Sequence, residues 1–317
     1  MATPLVSICI PCYNAEKYIG ETLDCLLSQS YRSIEILVVD DRSSDNSFGL
    51  VNNYSAKYPN VKLKCSVRKG AASARNQAFA ESTGEFIVFF DADDLIDATF
   101  IQTQVETLLR NPDSVSISNW GRFYNNNIES YNEDPFIIKE DMTFYDWIVR
   151  YWTFHRHTTP PGRVMIPRTI LEKSGLWNEA LTLNDDFEFF TRVFLNAVDI
   201  KYNDKANFYY RSGVGGLSGW KSTSSYRSYL NSLVLSSELV RKKYGVSSEI
   251  NLACANMLQM FNYEVYPKEL NLYKTALKYI NKLEKPTIPF PSGGATLLLS
   301  KVIGWKLTKR FKLLFKF

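Results

Sequence analysis

The sequence is short of the residues that build most metal and redox centres. It has two histidines, His155 and His157, separated by Arg156 in an aromatic stretch. A zinc hydrolase needs more imidazole or thiolate ligands than that, so the pair reads as structural or acceptor-facing. The five cysteines, Cys9, Cys12, Cys25, Cys65 and Cys254, form no disulfide framework. Cys9 and Cys12 have CxxC spacing, but Pro11 lies between them and no second pair completes a zinc site. Only Met1 to Leu5 precede the first apolar run, so no secretory signal is expected, and a reducing cytoplasm fits the cysteine usage. No run of 18 apolar residues exists, so no bilayer-spanning helix is expected. GxGxxG is missing after the first strand, and so is a GxxxxGK[ST] loop.

One-sided charge is lacking too, with 37 Lys and Arg against 33 Asp and Glu in 317 residues. The segment 301–317 holds Lys301, Lys306, Lys309, Arg310, Lys312 and Lys316 and no acid, which leaves the remainder slightly acidic. No nucleic-acid partner is expected for such a body. What is present is a globular composition, 45% apolar and 22% charged, at a length suited to two domains or one with an appendage.

The first 120 residues alternate strand and helix. Val6–Pro11, Ile34–Val39, Val61–Val67, Phe86–Phe90 and Val115–Asn119 read as buried strands. Ala15–Ser28, a segment ending before Pro59, Ala71–Glu81 and Ala98–Arg110 read as the helices between them. The pattern predicts an α/β fold with a doubly wound, mostly parallel sheet. Residues 121–161 read as irregular. Val164–Pro167 reads as a strand, Thr169–Lys173 as a helical turn and Asp186–Leu195 as a helix, with Ile200–Asn203 and Phe208–Arg211 as two short strands. Gly213, Gly215, Gly216 and Gly219 mark a flexible loop. Ser222–Tyr244 and Asn251–Lys285 read as helices, the latter interrupted at Pro267, and Pro286, Pro289 and Pro291 as a linker.

In doubly wound sheets ligands bind beyond the carboxyl ends of the strands. Those ends carry Pro11-Cys12-Tyr13-Asn14, Asp40-Asp41 and Asp91-Ala92-Asp93-Asp94. A single Asp there is an ordinary cap or turn residue. Two clusters abutting buried strands are costly unless paired, hydrogen-bonded or metal-bound. A hard divalent cation, Mg²⁺ or Mn²⁺, is the natural occupant of such oxygens.

With Ala74-Arg75-Asn76 between them, the segments Val6–Asn14, Val38–Asp45 and Asp91–Asp94 resemble family 2 glycosyltransferases of the GT-A fold, over residues 5 to about 215. The resemblance implies transfer of a sugar, with inversion, from a nucleotide diphosphate sugar, most commonly a UDP-sugar, to an acceptor hydroxyl. The implied acceptor is a glycan or lipid-linked glycan in surface polysaccharide biosynthesis. On the same basis Pro11, Tyr13, Asn14 and Asp41 line the donor site, with Arg75 and Asp91 nearby. Asp93 matches the metal-binding acid of the DxD motif, and Asp94 is an adjacent second ligand. Residues 1–120 become the nucleotide-sugar-binding half, and 121–220 the acceptor and catalytic-base half of the same domain. Residues 221–285 become a helical extension and 286–317 a linker and basic tail.

The resemblance also implies a catalytic base in Leu183-Asn184-Asp185-Asp186, with Asp186 as the base and Arg192 as the accompanying arginine. Asp185 replaces the family's usual Glu. A helix start favours ionised carboxylates, so Asp186 is expected to be charged. The competing reading makes Asp185 an N-cap, with Glu188 completing a capping box. Many relatives have Tyr-Arg-x-His where this chain has Tyr210-Arg211-Ser212-Gly213, which leaves a third metal ligand open.

In the tail, Ile303, Leu307, Phe311 and Leu314 follow helical spacing beside the lysines. Such a helix can lie on an anionic membrane surface; packing on its own domain or on a second copy is the competing reading. The expected protein is a cytoplasmic, membrane-peripheral transferase. The alternatives are transfer to a lipid phosphate and a non-catalytic sugar-nucleotide-binding scaffold. Nothing in the sequence signals an oligomeric state.

Overall fold

The computed structural model describes residues 3–214, 222–245 and 247–315. In chain order the elements begin with Val6–Cys12 (β1), Ile19–Leu27 (α1), Ile34–Asp40 (β2), Ser47–Lys57 (α2), Val61–Cys65 (β3), Ala71–Glu81 (α3), Phe86–Phe89 (β4) and Leu95–Ile96 (β5). Phe100–Arg110 (α4), Val115–Tyr124 (β6), Asn127–Glu133 (β7), Phe144–Tyr151 (α5), Val164–Pro167 (β8), Arg168–Ser174 (α6), Asp185–Asn196 (α7) and Ile200–Ser212 (β9) come next. Thr223–Tyr244 (α8), Ser248–Val265 (α9), Leu270–Ile280 (α10) and Ala295–Phe315 (α11) complete them.

The strands form one mixed sheet in the order β3-β2-β1-β4-β8-β6-β9-β5, with β7 paired to β6. β1 pairs in parallel with β2 and β4, and β2 with β3. β8 is antiparallel to both β4 and β6, and β6 is parallel to β9. The carboxyl ends of β1, β2, β4, β6 and β9 therefore share one edge. Ile8, Ile10, Val38, Val88 and Phe90 pack with Leu23, Leu26, Val105 and Leu108 in the core beneath that edge. Each such side chain contributes about 1.5–3 kcal/mol on burial.

The stretch 121–161 departs from the irregular reading. β6 runs on to Tyr124 and returns as β7, because Asn125 and Asn126 adopt φ of 55° and 56°, the left-handed geometry of a tight hairpin. Gly121 is required here, since a Cβ would stand 2.2 Å from the Asn132 carbonyl oxygen. The two short strands expected at 200–211 are one strand, β9, with a register shift opposite Ser118 and Asn119. α1 begins at Ile19 rather than Ala15.

The described residues divide into two compact units, one drawn from Met1–Phe144 and Thr158–Gly219, the other from Tyr145–His157 and Trp220–Phe317. In the second unit α11 is broken at Gly304, whose φ is 78°. Beyond the break Trp305 lies edge-on to Tyr263 and Tyr266, at centroid distances of 4.8 and 5.3 Å. Lys309 donates to the carbonyls of Tyr263 and Glu264 near the end of α9. The tail is thus partly packed within its own unit. The expected stripe is redistributed by the break: Ile303 is half-buried, while Leu307, Phe311 and Leu314 stay exposed, joined by Leu298 and Val302.

Candidate active site

The carboxyl ends of β1 and β2 are tied to each other. The Asn14 N–H donates to Ser43 Oγ (3.0 Å), and its Oδ1 accepts from the Ser44 N–H (2.8 Å). Asp40 Oδ2 accepts from the Ser43 N–H, and Asp41 Oδ2 from the N–H of Gly70 just ahead of α3. Asp40 and Asp41 each keep a buried Oδ1 with no hydrogen-bond partner. That leaves acceptor capacity for a ligand N–H or hydroxyl. Pro11 lies at the end of β1, and the Tyr13 ring stands half exposed beside it.

Beyond β4 the chain turns through the acids. Asp91 pairs with Arg75 Nη2 at 2.7 Å. Asp94 is fully buried and its Oδ1 accepts the Arg211 N–H at 2.9 Å. Arg211 also donates to the Asp93 carbonyl (2.6 Å) and to Glu21 (2.8 Å), which anchors the turn to β9. Burial, then the charge of Asp91, pushes the Asp93 carboxyl up to about 6; burial, then its acidic neighbours, raises Asp94 as well. A hard dication would remove that penalty, so the acids fit one by charge. Asp93 has the freer carboxylate, whereas one Asp94 oxygen is already engaged. Among the described residues no cluster of three or more His, Cys, Asp or Glu is arranged around a common point.

The third component is the start of α7. Asn184 takes φ 60°, the left-handed region Asn tolerates best after Gly, and turns the chain abruptly into the helix. The capping box does not form: Asn184 is the N-cap, and Asp186 Oδ1 accepts the neighbouring Phe187 N–H at 2.8 Å. Glu188 pairs instead with Arg192 at 2.7 Å. Arg192, expected among the catalytic residues, spends its other N–H groups on the carbonyls of Ser174, Gly175 and Leu176. It is a clamp on the loop ahead of Trp177.

That loop brings the pieces together. Asn76 holds Trp177 through both its N–H and its carbonyl, and the Arg75 guanidinium lies 4.4 Å from the centre of a Trp177 ring. From this platform Arg75 Nη1 reaches Asp185 at 3.4 Å while Nη2 holds Asp91. Asp185 is raised by burial and lowered by Arg75. Asp186 is pushed up to about 7 by burial and then by the Asp185 charge, against the expectation of a fully ionised group.

A family model for "Glycosyl transferase family 2" matches residues 7–175, more than half of the chain. The chain belongs to that family. A probable glycosyltransferase, YdaM, of Bacillus subtilis is 32% identical over 208 residues, 63% of this chain and 49% of that one. WfgD of Escherichia coli, a UDP-Glc:alpha-D-GlcNAc-diphosphoundecaprenol beta-1,3-glucosyltransferase, is 40% identical over 141 residues, 44% of this chain and 53% of its own. The chain spans about half the length of the first curated relatives it matches. Among solved structures, S. aureus TarS 1-349 in complex with UDP-GlcNAc shares the fold at TM-score 0.62 and 19% identity, over 91% of this chain and 99% of that one. The mannosyltransferase PcManGT from Pyrobaculum calidifontis, in complex with GDP-Man and Mn²⁺, aligns at TM-score 0.57 and 20% identity, covering 99% and 83%. The GT-A type sheet with C-terminal helices is therefore the fold.

Sequence reasoning missed Trp177, Glu21 and the buried role of Arg211. The signal for Arg211 was a charged residue inside an otherwise aromatic strand; Trp177 carried none. Gly213 has φ 84°, and no atom of the described residues beyond its chain neighbours lies within 4 Å of where its Cβ would stand. Gly215, Gly216 and Gly219, read as part of that loop, lie outside the described residues, as does Lys316.

Proposed function

We propose that the chain transfers a sugar, with inversion, from a UDP-sugar type donor to a hydroxyl of a glycan or lipid-linked glycan. The observation that carries this is the Arg75 bridge. It brings the acid turn after β4 and the carboxylates of α7 into one ion-paired cluster, although they lie about a hundred residues apart in sequence. Asp41, with its spare Oδ1, and the Tyr13 ring supply the nucleoside end. Asp93, assisted by Asp91, would hold Mg²⁺ or Mn²⁺, which when bound supplies positive charge to the departing diphosphate. Asp186 accepts the proton of the acceptor hydroxyl, and Asp185, held by Arg75, orients the start of α7. Surface polysaccharide assembly fits the activity that WfgD is named for.

The reading includes a membrane-facing site of action. No helix among the described residues is long and apolar enough to cross a membrane. Val302, Leu298 and Leu314 are 82%, 67% and 75% exposed on the same broken helix that carries the exposed Lys301 and Lys306. Such residues suit the surface of an anionic bilayer at its cytoplasmic face.

Asp186→Asn tests the chemistry. Donor binding, followed by calorimetry with UDP-sugars and Mn²⁺, should stay within about twofold, while turnover falls about 10²-fold or more, the range of general-base help. Intact turnover with collapsed acceptor affinity would make Asp186 an acceptor-positioning group. Unchanged turnover and affinity would favour phosphate acceptors, which need little base help.

A further inference from the structure

Arg122 stands near the end of β6 and pairs across the ladder with Tyr210. Its guanidinium lies 4.9 Å from the Tyr210 ring centre and 5.5 Å from Trp120, and Nη1 donates to Ser212 Oγ at 3.0 Å. Trp120 is buried and Tyr210 packs against the same core. The cation is therefore half-buried and held on an aromatic floor, yet it has no carboxylate partner among the described residues. Other inward-facing arginines here are spent: Arg75 on Asp91 and Asp185, Arg192 on Glu188, Arg211 on Glu21.

Arg122 and the acid turn share a neighbourhood. Arg211, which follows Tyr210 in β9, donates its backbone N–H to Asp94 Oδ1 at 2.9 Å, so the strand beneath Arg122 is tied directly to the acid turn. Both ends, that of β6 and that of β9, lie on the edge where the donor site opens. Beside them Gly213 presents no side chain, so nothing of its own fills the space next to Ser212. An uncompensated, preoriented guanidinium next to carboxylates that favour a dication is arranged for an anion.

We propose that Arg122 binds the diphosphate of the nucleotide, contacting a non-bridging oxygen of its β-phosphate. This rests on the donor reading above and adds a diphosphate-recognition residue to it. Ser212 acts as a positioning residue, fixing the fork through Nη1. Because the contact is with the diphosphate, it operates on UDP and leaves the nucleoside untouched.

The test is binding of UDP and UMP, with GDP and GMP in parallel, by calorimetry in EDTA and again with Mn²⁺. Arg122→Gln should weaken the nucleoside diphosphate by about tenfold or more and the monophosphate by less than about twofold, with or without metal. Arg122→Lys should recover part of the loss, since a point charge remains, and should keep the melting temperature of the parent. Equal losses for diphosphate and monophosphate in a folded Arg122→Lys protein would overturn the assignment. So would unchanged UDP binding with a raised acceptor KM, which would place Arg122 on the acceptor. If the unsubstituted protein binds no nucleoside diphosphate at all, the donor reading fails first and this one with it.

Discussion

Asp186 is held between opposing fields. Burial and the Asp185 charge disfavour its ionised form, while the Phe187 N–H and Arg75 favour it, and the balance lies at about 7. Only the ionised form accepts a proton, so kcat/KM should rise with pH and level off above about 7. The same shift acts on stability. Between the ordinary carboxylate range near 4 and about 7 the folded state holds the extra proton, so stability falls as pH rises through that window. Asp186→Asn should remove this slope and melt higher than the parent at pH 8, as followed by thermal denaturation. A flat pH–rate profile between 5.5 and 8 would argue against Asp186 as the base. The Asp186 position was legible through the resemblance to family 2 glycosyltransferases, which puts an acid pair at the opening of this helix. Its charge state was not, because the burial that chiefly sets it comes from other parts of the chain.

At the scale of elements, the donor edge depends on strands that hold their register far below it. Glu35 of β2 receives Ser7 of β1, Lys62 of β3 and the Thr83 N–H ahead of β4. Burial alone would raise this carboxyl, but Lys62, the Thr83 N–H and the two hydroxyls bring it down to about 2. A depressed folded value contributes stability above the unfolded value near 4.5, and that contribution is lost as pH falls towards 2. Glu35→Gln should cost about 2 kcal/mol at pH 7, discounted because Lys62 is half exposed, and almost nothing at pH 2. Urea titration at the two pH values checks it; equal losses at both would mean that packing, not charge, sets the cost. The strand–helix alternation of 1–120 was readable from buried apolar runs. The β6–β7 hairpin was not, since β7 is polar and largely exposed and carries no period to read.

For the whole molecule, the tail shows why a helical wheel drawn on sequence misplaces faces. Counting through 301–317 as one helix puts Ile303 on the exposed stripe, but the break at Gly304 rotates the residues beyond it. Trp305 then joins Tyr263, Tyr266 and Phe290, and the Lys309 ammonium meets the carbonyl end of α9, where helix polarity favours a cation. Removing the whole tail would strip that aromatic cover and confuse folding with membrane binding. Replacing the outward residues separates the two. Leu298→Glu with Val302→Glu should lower sedimentation with anionic vesicles at low salt by about tenfold or more, from lost apolar burial and added repulsion. The melting temperature should stay put, because neither side chain is buried. Binding by the parent should weaken as salt rises, since screening acts on the exposed Lys301 and Lys306. Trp305→Ala should instead lower the melting temperature, as an aromatic contact worth about 0.5–1.5 kcal/mol beyond its burial is lost. If the double variant sediments as the parent does while remaining folded, the exposed residues are not a membrane surface, and partial packing in its own unit is the whole role of the tail.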